Sequence, residues 1–169
     1  SARAVGGGEE CMCSGNMKIL KGRGNLNGGD EIQPSRYRIP PVTVRELGRE
    51  LMDKLPLNGI KSSGSLDSPV QKVWLPGHIM GLHDNDILKT MEEEDFDAVI
   101  VFECIDYTVA EYVRDATQAG YPKTILAVGH FNTEEPGMAY MAEYLPQALG
   151  EPVLCRFISS TDMYQFLTK

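Results

Sequence analysis

Residues 97–103 read DAVIVFE and residues 124–129 read TILAVG. Each is a short, continuous apolar run, without the polar alternation of a half-exposed strand. Runs of this length suit strands buried on both faces, which is the habit of parallel sheets. Between them, Val109, Tyr112, Val113 and Ala116 recur at helical spacing, and Gly120 with Pro122 ends that pattern. A strand, a helix and a strand in that order form a parallel unit with a right-handed crossover.

The same alternation extends outward in both directions. Residues 70–75, VQKVWL, predict a strand that ends at Pro76-Gly77. Asp84 is placed to cap a helix running to about Glu94, with Ile87, Leu88 and Met91 facing inward. After residue 129, Asn132 or Thr133 is expected to cap a helix with Met138, Met141, Ala142 and Leu145 inward, closed by Pro146 and Gly150. Residues 152–158, PVLCRFI, are expected to form a last strand. The predicted fold is α/β: a largely parallel sheet in β-α-β-α-β-α-β order, with helices on both faces.

A further helix precedes this series. Thr43 followed by Glu46 is a capping box, in which the hydroxyl and the carboxylate each satisfy one orphan N–H at the helix start. Val44, Leu47, Leu51 and Leu55 then make one apolar face, and Pro56 with Asn58-Gly59 stops it. Thr108 and Glu111 suggest a second capping box. Residues 1–36 hold eight of the seventeen glycines without periodicity, so they are expected to be an irregular arm or linker before a domain spanning 37–169.

Bulk composition narrows the function. Hydrophobic residues make up 42% of the 169, enough for one domain's core. Sixteen basic against 24 acidic residues leave a net charge of −8, which opposes nucleic acid and anionic membranes. The one basic cluster, KILKGRG at 18–24, lacks interleaved aromatics and reads as a solvated loop. No apolar run approaches the ~20 residues of a membrane span. The start, SARAVGGGEE, has no secretory apolar segment, and an initial Ser1 suggests a piece of a longer protein or a processed product. Cys104 and Cys155 fall in apolar runs and are expected to be buried, reduced thiols; Cys11-Met-Cys13 lacks zinc-knuckle spacing and reads as an incidental loop pair. Together they suggest a cytoplasmic location.

In open parallel sheets, ligands bind beyond the carboxyl ends of the strands. Three expected strands end in useful chemistry there. His78 and His83 follow the first, Glu103 ends the second, and His130, Glu134 and Glu135 follow the third. Imidazole and carboxylate can share a divalent ion. Here the histidine is expected to leave the strand and the carboxylate to lie on the first helical turn, outside a helical i,i+4 relation. Spacing alone suits a metal site and a capped helix after an incidental histidine equally. Glu135 is expected only to complement the helix dipole. The histidines in PGHIMGLHD suit surface or hydrogen-bonding roles. Glu103 ends an apolar strand and needs a partner.

The segment GHFNTEEPGM (129–138) resembles the Nif-three-like family, the dinuclear-metal-centre proteins or GTP cyclohydrolase I type 2 homologues. There a strand ends in Gly-His and a Glu four residues later begins a helix, both residues being metal ligands; His130 and Glu134 match. The preceding family strand ends in Gly-Glu or Gly-Asp. Glu103 matches the acid, Phe102 stands for the glycine, and Asp106 and Tyr107 stand near the places of family histidines. TVRELGRELMDKL, GIKSSGSLDSPVQKV (read as a linker) and the strand order extend the likeness over 37–169, the family's second half. Nothing in residues 1–36 resembles the first half, which carries the other ligands. The resemblance implies a divalent-metal hydrolase of a phosphoester or nucleotide-like small molecule. His130 and Glu134 would be ligands to zinc, manganese or iron, and Glu103 a general acid or base or a supporting group. It also implies a homo-oligomer, often a ring. The alternative is a non-catalytic metal-binding or scaffold protein. With half the ligands, the chain alone is expected to hold metal weakly.

Overall fold

The computed structural model describes residues 30–33, 36–55, 57–79, 84–94 and 96–169. Among these, six strands form one sheet in the order β1-β2-β4-β5-β6-β3. The strands are β1 Asp30–Gln33, β2 Arg36–Thr43, β3 Lys61–Gly64, β4 Pro69–Ile79, β5 Ala98–Cys104 and β6 Thr124–Ala127. The helices are α1 Val44–Lys54, α2 Asp84–Glu93, α3 Glu111–Gln118 and α4 His130–Leu149, with a π-helical turn Asp106–Ala110 leading into α3.

The expected parallel core is present. β5 lies between β4 and β6 and pairs with both in parallel. Its five residues Ala98 to Phe102 are all buried, as a strand covered on both faces requires. Successive side chains serve opposite faces. Ala98 and Ile100 join Leu126, Val73, Tyr37 and the α1 residues Val44, Leu47 and Leu51 in one cluster. Val99 and Val101 join Ile125, Trp74, Ile87, Met91, Val109 and Val113 in the other, under α2 and α3.

The sheet is mixed at its margins. β1 and β2 add antiparallel strands beside β4, and β3 pairs antiparallel with β6 at the other edge. Among the described residues the sheet thus includes Asp30–Gln33, within the stretch read as arm. The segment read as a linker contains β3, whose sequence KSSG has no apolar signal. The expected capping box is present: Glu46 N–H donates to Thr43 Oγ1 at 3.2 Å, and Thr43 N–H donates to Glu46 at 2.8 Å.

Four expectations are corrected. Residues 152–158 form no strand, because nothing among the described residues pairs with them and a lone strand leaves its backbone groups unsatisfied. Val153, Leu154 and Ile158 are exposed there, while Cys104 and Cys155 are half-buried. Thr108 caps nothing: it lies within the π-helical turn, and its buried hydroxyl has no partner among the described residues. The fourth helix runs through Pro146 to a left-handed Gly150, and its expected inner face is not buried; Met138 is exposed, and only Asn132, Thr133 and Gly137 are buried.

Candidate functional site

The site is built where β5 and β6 end side by side. Val128 N–H donates to Val101 O at 3.0 Å, and Gly129 N–H donates to Phe102 O at 2.8 Å, so the register holds to the tips of both strands. The chain then reverses into α4 through Gly129, at φ 93°. A side chain there would be strained and would place its Cβ 2.7 Å from Asn132 Nδ2. Asn132 and Thr133, expected as a helix cap, instead fasten the turn from behind. Asn132 Nδ2 donates to Val128 O at 2.8 Å, and Thr133 Oγ1 donates to Gly129 O at 3.0 Å and to His130 O at 2.7 Å.

His130 is therefore the first residue of the helix, and Glu134 lies one turn on. This corrects the expected geometry: the two are a helical i,i+4 pair, which places both side chains on one face. His130 Nε2 lies 3.0 Å from Glu134 Oε1. On the other side of the ring, Nδ1 lies 3.1 Å from both carboxylate oxygens of Glu103. Phe102 meets the imidazole edge-on, with ring centroids 5.5 Å apart. The ring is held in one orientation, and Glu103 has the partner its strand position demands.

A neutral imidazole carries one N–H and one lone pair, so it can satisfy only one of these carboxylates. The doubly protonated ring donates to both. Accordingly the Glu103 carboxylate, first by hydrogen bond and then by charge, holds the His130 imidazole above its ordinary pKa, with Glu134 adding to the effect and burial opposing it.

The donor set also fits a cation in place of the second proton. Atoms 3.0 Å apart, an imidazole nitrogen and a carboxylate oxygen, can share one ion whose bonds to each run about 2.0–2.2 Å. The other ring nitrogen then keeps its proton for Glu103, the usual way a ligating histidine is oriented. No further His, Cys, Asp or Glu among the described residues completes a group of three around one ion.

The remaining candidates divide. His78 lies at the same sheet edge by register, since its neighbours Gly77 and Ile79 pair with Val101 and Cys104. His83, Cys11, Cys13 and the 18–24 cluster lie outside the described residues. Asp106 pairs with Lys61 at 2.5 Å, and Tyr107 is exposed. Glu135 is not in the first turn and complements no helix dipole. It accepts hydrogen bonds from Ser159 Oγ at 2.9 Å and from Ser160 N–H. That tail contact, and Tyr164 beside the cluster, had no signal in the local sequence.

Comparison with solved structures adds the fold's relatives. The Bacillus cereus protein related to NIF3 matches with a TM-score of 0.56 and 18% identity over 78% of this chain. The chain shares the fold of the matched part of that protein. The crystal structure of Staphylococcus aureus protein SA1388 matches with a TM-score of 0.54 and 11% identity, again over 78% of this chain. The chain spans little more than a third of those proteins, 35% and 36% respectively. No protein-family model matches, and no curated protein sequence matches. Among the described residues, no helix is long and apolar enough to cross a membrane.

Proposed function

We propose that this chain is a Nif-three-like protein that carries one part of a divalent-metal site. In this reading His130 Nε2 and Glu134 are ligands, and Glu103 orients the histidine through Nδ1. The observation that carries the reading is the double engagement of His130, with a carboxylate 3.0 Å from one ring nitrogen and another 3.1 Å from the second. The likeness to the NIF3-related structure supports it.

A bound zinc, manganese or iron ion supplies Lewis acidity towards a phosphoryl or carbonyl oxygen and stabilises the charge that develops there. The chain's own residues position that chemistry. Glu134 and His130 supply a fixed pair of donors, and Glu103 prevents the ring from turning. The fitting reaction class is hydrolysis of a phosphoester or nucleotide-like small molecule, performed when further ligands complete the site. Two protein ligands are fewer than structural or catalytic zinc sites use. The chain alone therefore binds metal weakly and hydrolyses little.

The second reading is a scaffold that assembles without catalysis, as a homo-oligomer. Its support is the exposed apolar surface of α4 and the tail, where Met138, Leu149, Leu154 and Ile158 face solvent. Manganese- and zinc-dependent phosphodiesterase assays, on this chain and on a longer form bearing the missing ligands, separate the two. Activity in the longer form that is lost with His130→Ala supports the enzyme. Inactivity with intact metal binding supports the scaffold.

A further inference from the structure

After α4 the chain has no regular secondary structure through Lys169, yet residues 159–166 are held from two sides. On the α4 side, Glu135 accepts the Ser159 hydroxyl and the Ser160 N–H. On the opposite side, in the loop before β3, Asn58 N–H donates to the Asp162 carboxylate at 2.8 Å, and Asn58 Nδ2 donates to Tyr164 O at 2.7 Å. The second oxygen of Asp162 accepts Tyr164 N–H at 3.0 Å, which tightens the segment into a turn. Further along, the Phe166 ring lies against Gly59, where a Cβ would stand 2.7 Å from it.

Two cavities open beneath this segment. One, of about 350 Å³, is walled by Phe102, Cys104 and Val128 and reaches Glu103, with Asp162, Tyr164 and Phe166 above. The other, of about 240 Å³, borders His130 and Phe131, with Met163 and Tyr164 above. Glu103 and Tyr164 line both. The segment therefore passes over the histidine–carboxylate cluster.

We propose that residues 159–166 are a lid, latched at Glu135 and Asn58, whose lifting admits a ligand to the cluster through the larger cavity. The inference rests on reading Glu103, His130 and Glu134 as a functional site. The lid's attachments suit that motion. Its latches are exposed hydrogen bonds, which exchange for water at little net cost. Met163 and Tyr164 are mostly exposed, so lifting uncovers little buried surface. Segments with few buried contacts and solvent-exposed hydrogen bonds are the ones that open locally.

Cys104 reports the lid's position because it lines the larger cavity. The full 169-residue chain is treated with iodoacetamide and with a bulky maleimide, without added metal, and labelling of Cys104 is followed by peptide mass spectrometry. The double variant Glu135→Ala/Asp162→Ala is expected to label at Cys104 about fivefold faster or more, with the larger gain for the bulky reagent. Hydrogen exchange of β5 amides should stay unchanged, which separates lid opening from general loosening. Asp162→Ala alone, which removes the acceptor of the Asn58 N–H, carries the test if the double variant fails to fold. Unchanged Cys104 labelling in the folded variants overturns the lid, as does faster labelling accompanied by faster β5 exchange. Neither outcome depends on metal, so failure of the metal reading is detected separately.

Discussion

His130 points its Nδ1 at Glu103, 3.1 Å from both carboxylate oxygens, across 27 residues of chain. The contact joins the tip of β5 to the first residue of α4. It leaves Nε2 aimed at Glu134. An acidic side chain on each ring nitrogen favours the protonated ring, and in the proposed function a cation would take the place of the proton on Nε2.

Removing the Glu103 charge tests the orienting role. Glu103→Gln keeps a hydrogen-bond acceptor of the same size but no longer favours a charged or polarised ring. Loss of such a supporting partner typically weakens metal binding about 10–100-fold. The expected result in zinc titrations is a loss of that order, with a thermal midpoint close to that of the parent chain. An unchanged affinity would remove Glu103 from the site.

Proton competition gives the second prediction. His130 is held above its ordinary pKa. It is therefore imidazolium at pH values below its raised pKa and must lose one proton to ligate. Metal affinity should fall by about tenfold per pH unit below that raised value and level off above it. The NMR titration of His130 in the metal-free chain should have its midpoint above about 6.5, the unperturbed value. A midpoint below that, or metal affinity independent of pH, would contradict the shared-proton geometry.

Gly129 carries the turn that presents His130. Its φ of 93° and the 2.7 Å approach of Asn132 Nδ2 leave no room for a Cβ. Gly129→Ala is expected to lower stability by about 1–3 kcal/mol, the usual cost of strain at such a position. Metal affinity should fall along with stability, because Asn132 must shift. Chemical denaturation and zinc titration on one preparation check both; a neutral effect on both would show that the turn is not constrained.

The ion pair at the margin of the core makes a separate pH prediction, for stability rather than metal affinity, from a pKa shifted downward instead of upward. Arg36 donates from Nε and Nη2 to the two oxygens of Glu94, each at 2.8 Å, and lies over Trp74 and Phe96. The hydrogen bond from Arg36 holds Glu94 below its ordinary pKa. The pair's contribution is therefore present above the unfolded-state value of about 4.3 and lost as pH falls through the depressed folded value. It is modest, since the Glu94 side chain is 39% exposed. Arg36→Lys should cost about 1 kcal/mol at neutral pH, because lysine reproduces neither the fork nor the stacking, and the difference should shrink in acid to the part owed to stacking on Trp74 and Phe96. Parallel urea denaturation curves at pH 7 and pH 3 measure it.

What was legible in the sequence was what short-range physics dictates. The apolar runs at 97–103 and 124–129 suited buried strands by their length, and Thr43 with Glu46 could satisfy each other within one turn. The juxtaposition of Glu103, His130 and Glu134 followed from strand order. What failed depended on distant partners. KSSG becomes a strand only because β6 offers it an edge, and PVLCRFI stays irregular because no described strand does. Glu135 looked like a helix-dipole residue because its partners, Ser159 and Ser160, lie a whole helix away. The helix start was misplaced by the polar look of Asn132 and Thr133, whose side chains bond backwards to the preceding turn.

The central claim is that a divalent ion on this chain sits at His130 Nε2 and Glu134. Side-chain imidazole NMR of the 15N-labelled protein, followed during zinc titration, tests it directly, because it distinguishes the three histidines and the two nitrogens of each ring. The account predicts a weak, saturable response in which His130 Nε2 shifts, Nδ1 keeps its proton, and Glu134→Gln abolishes the change. Zinc binding that leaves the His130 signals unmoved, or that survives Glu134→Gln, would place the metal elsewhere and contradict the account.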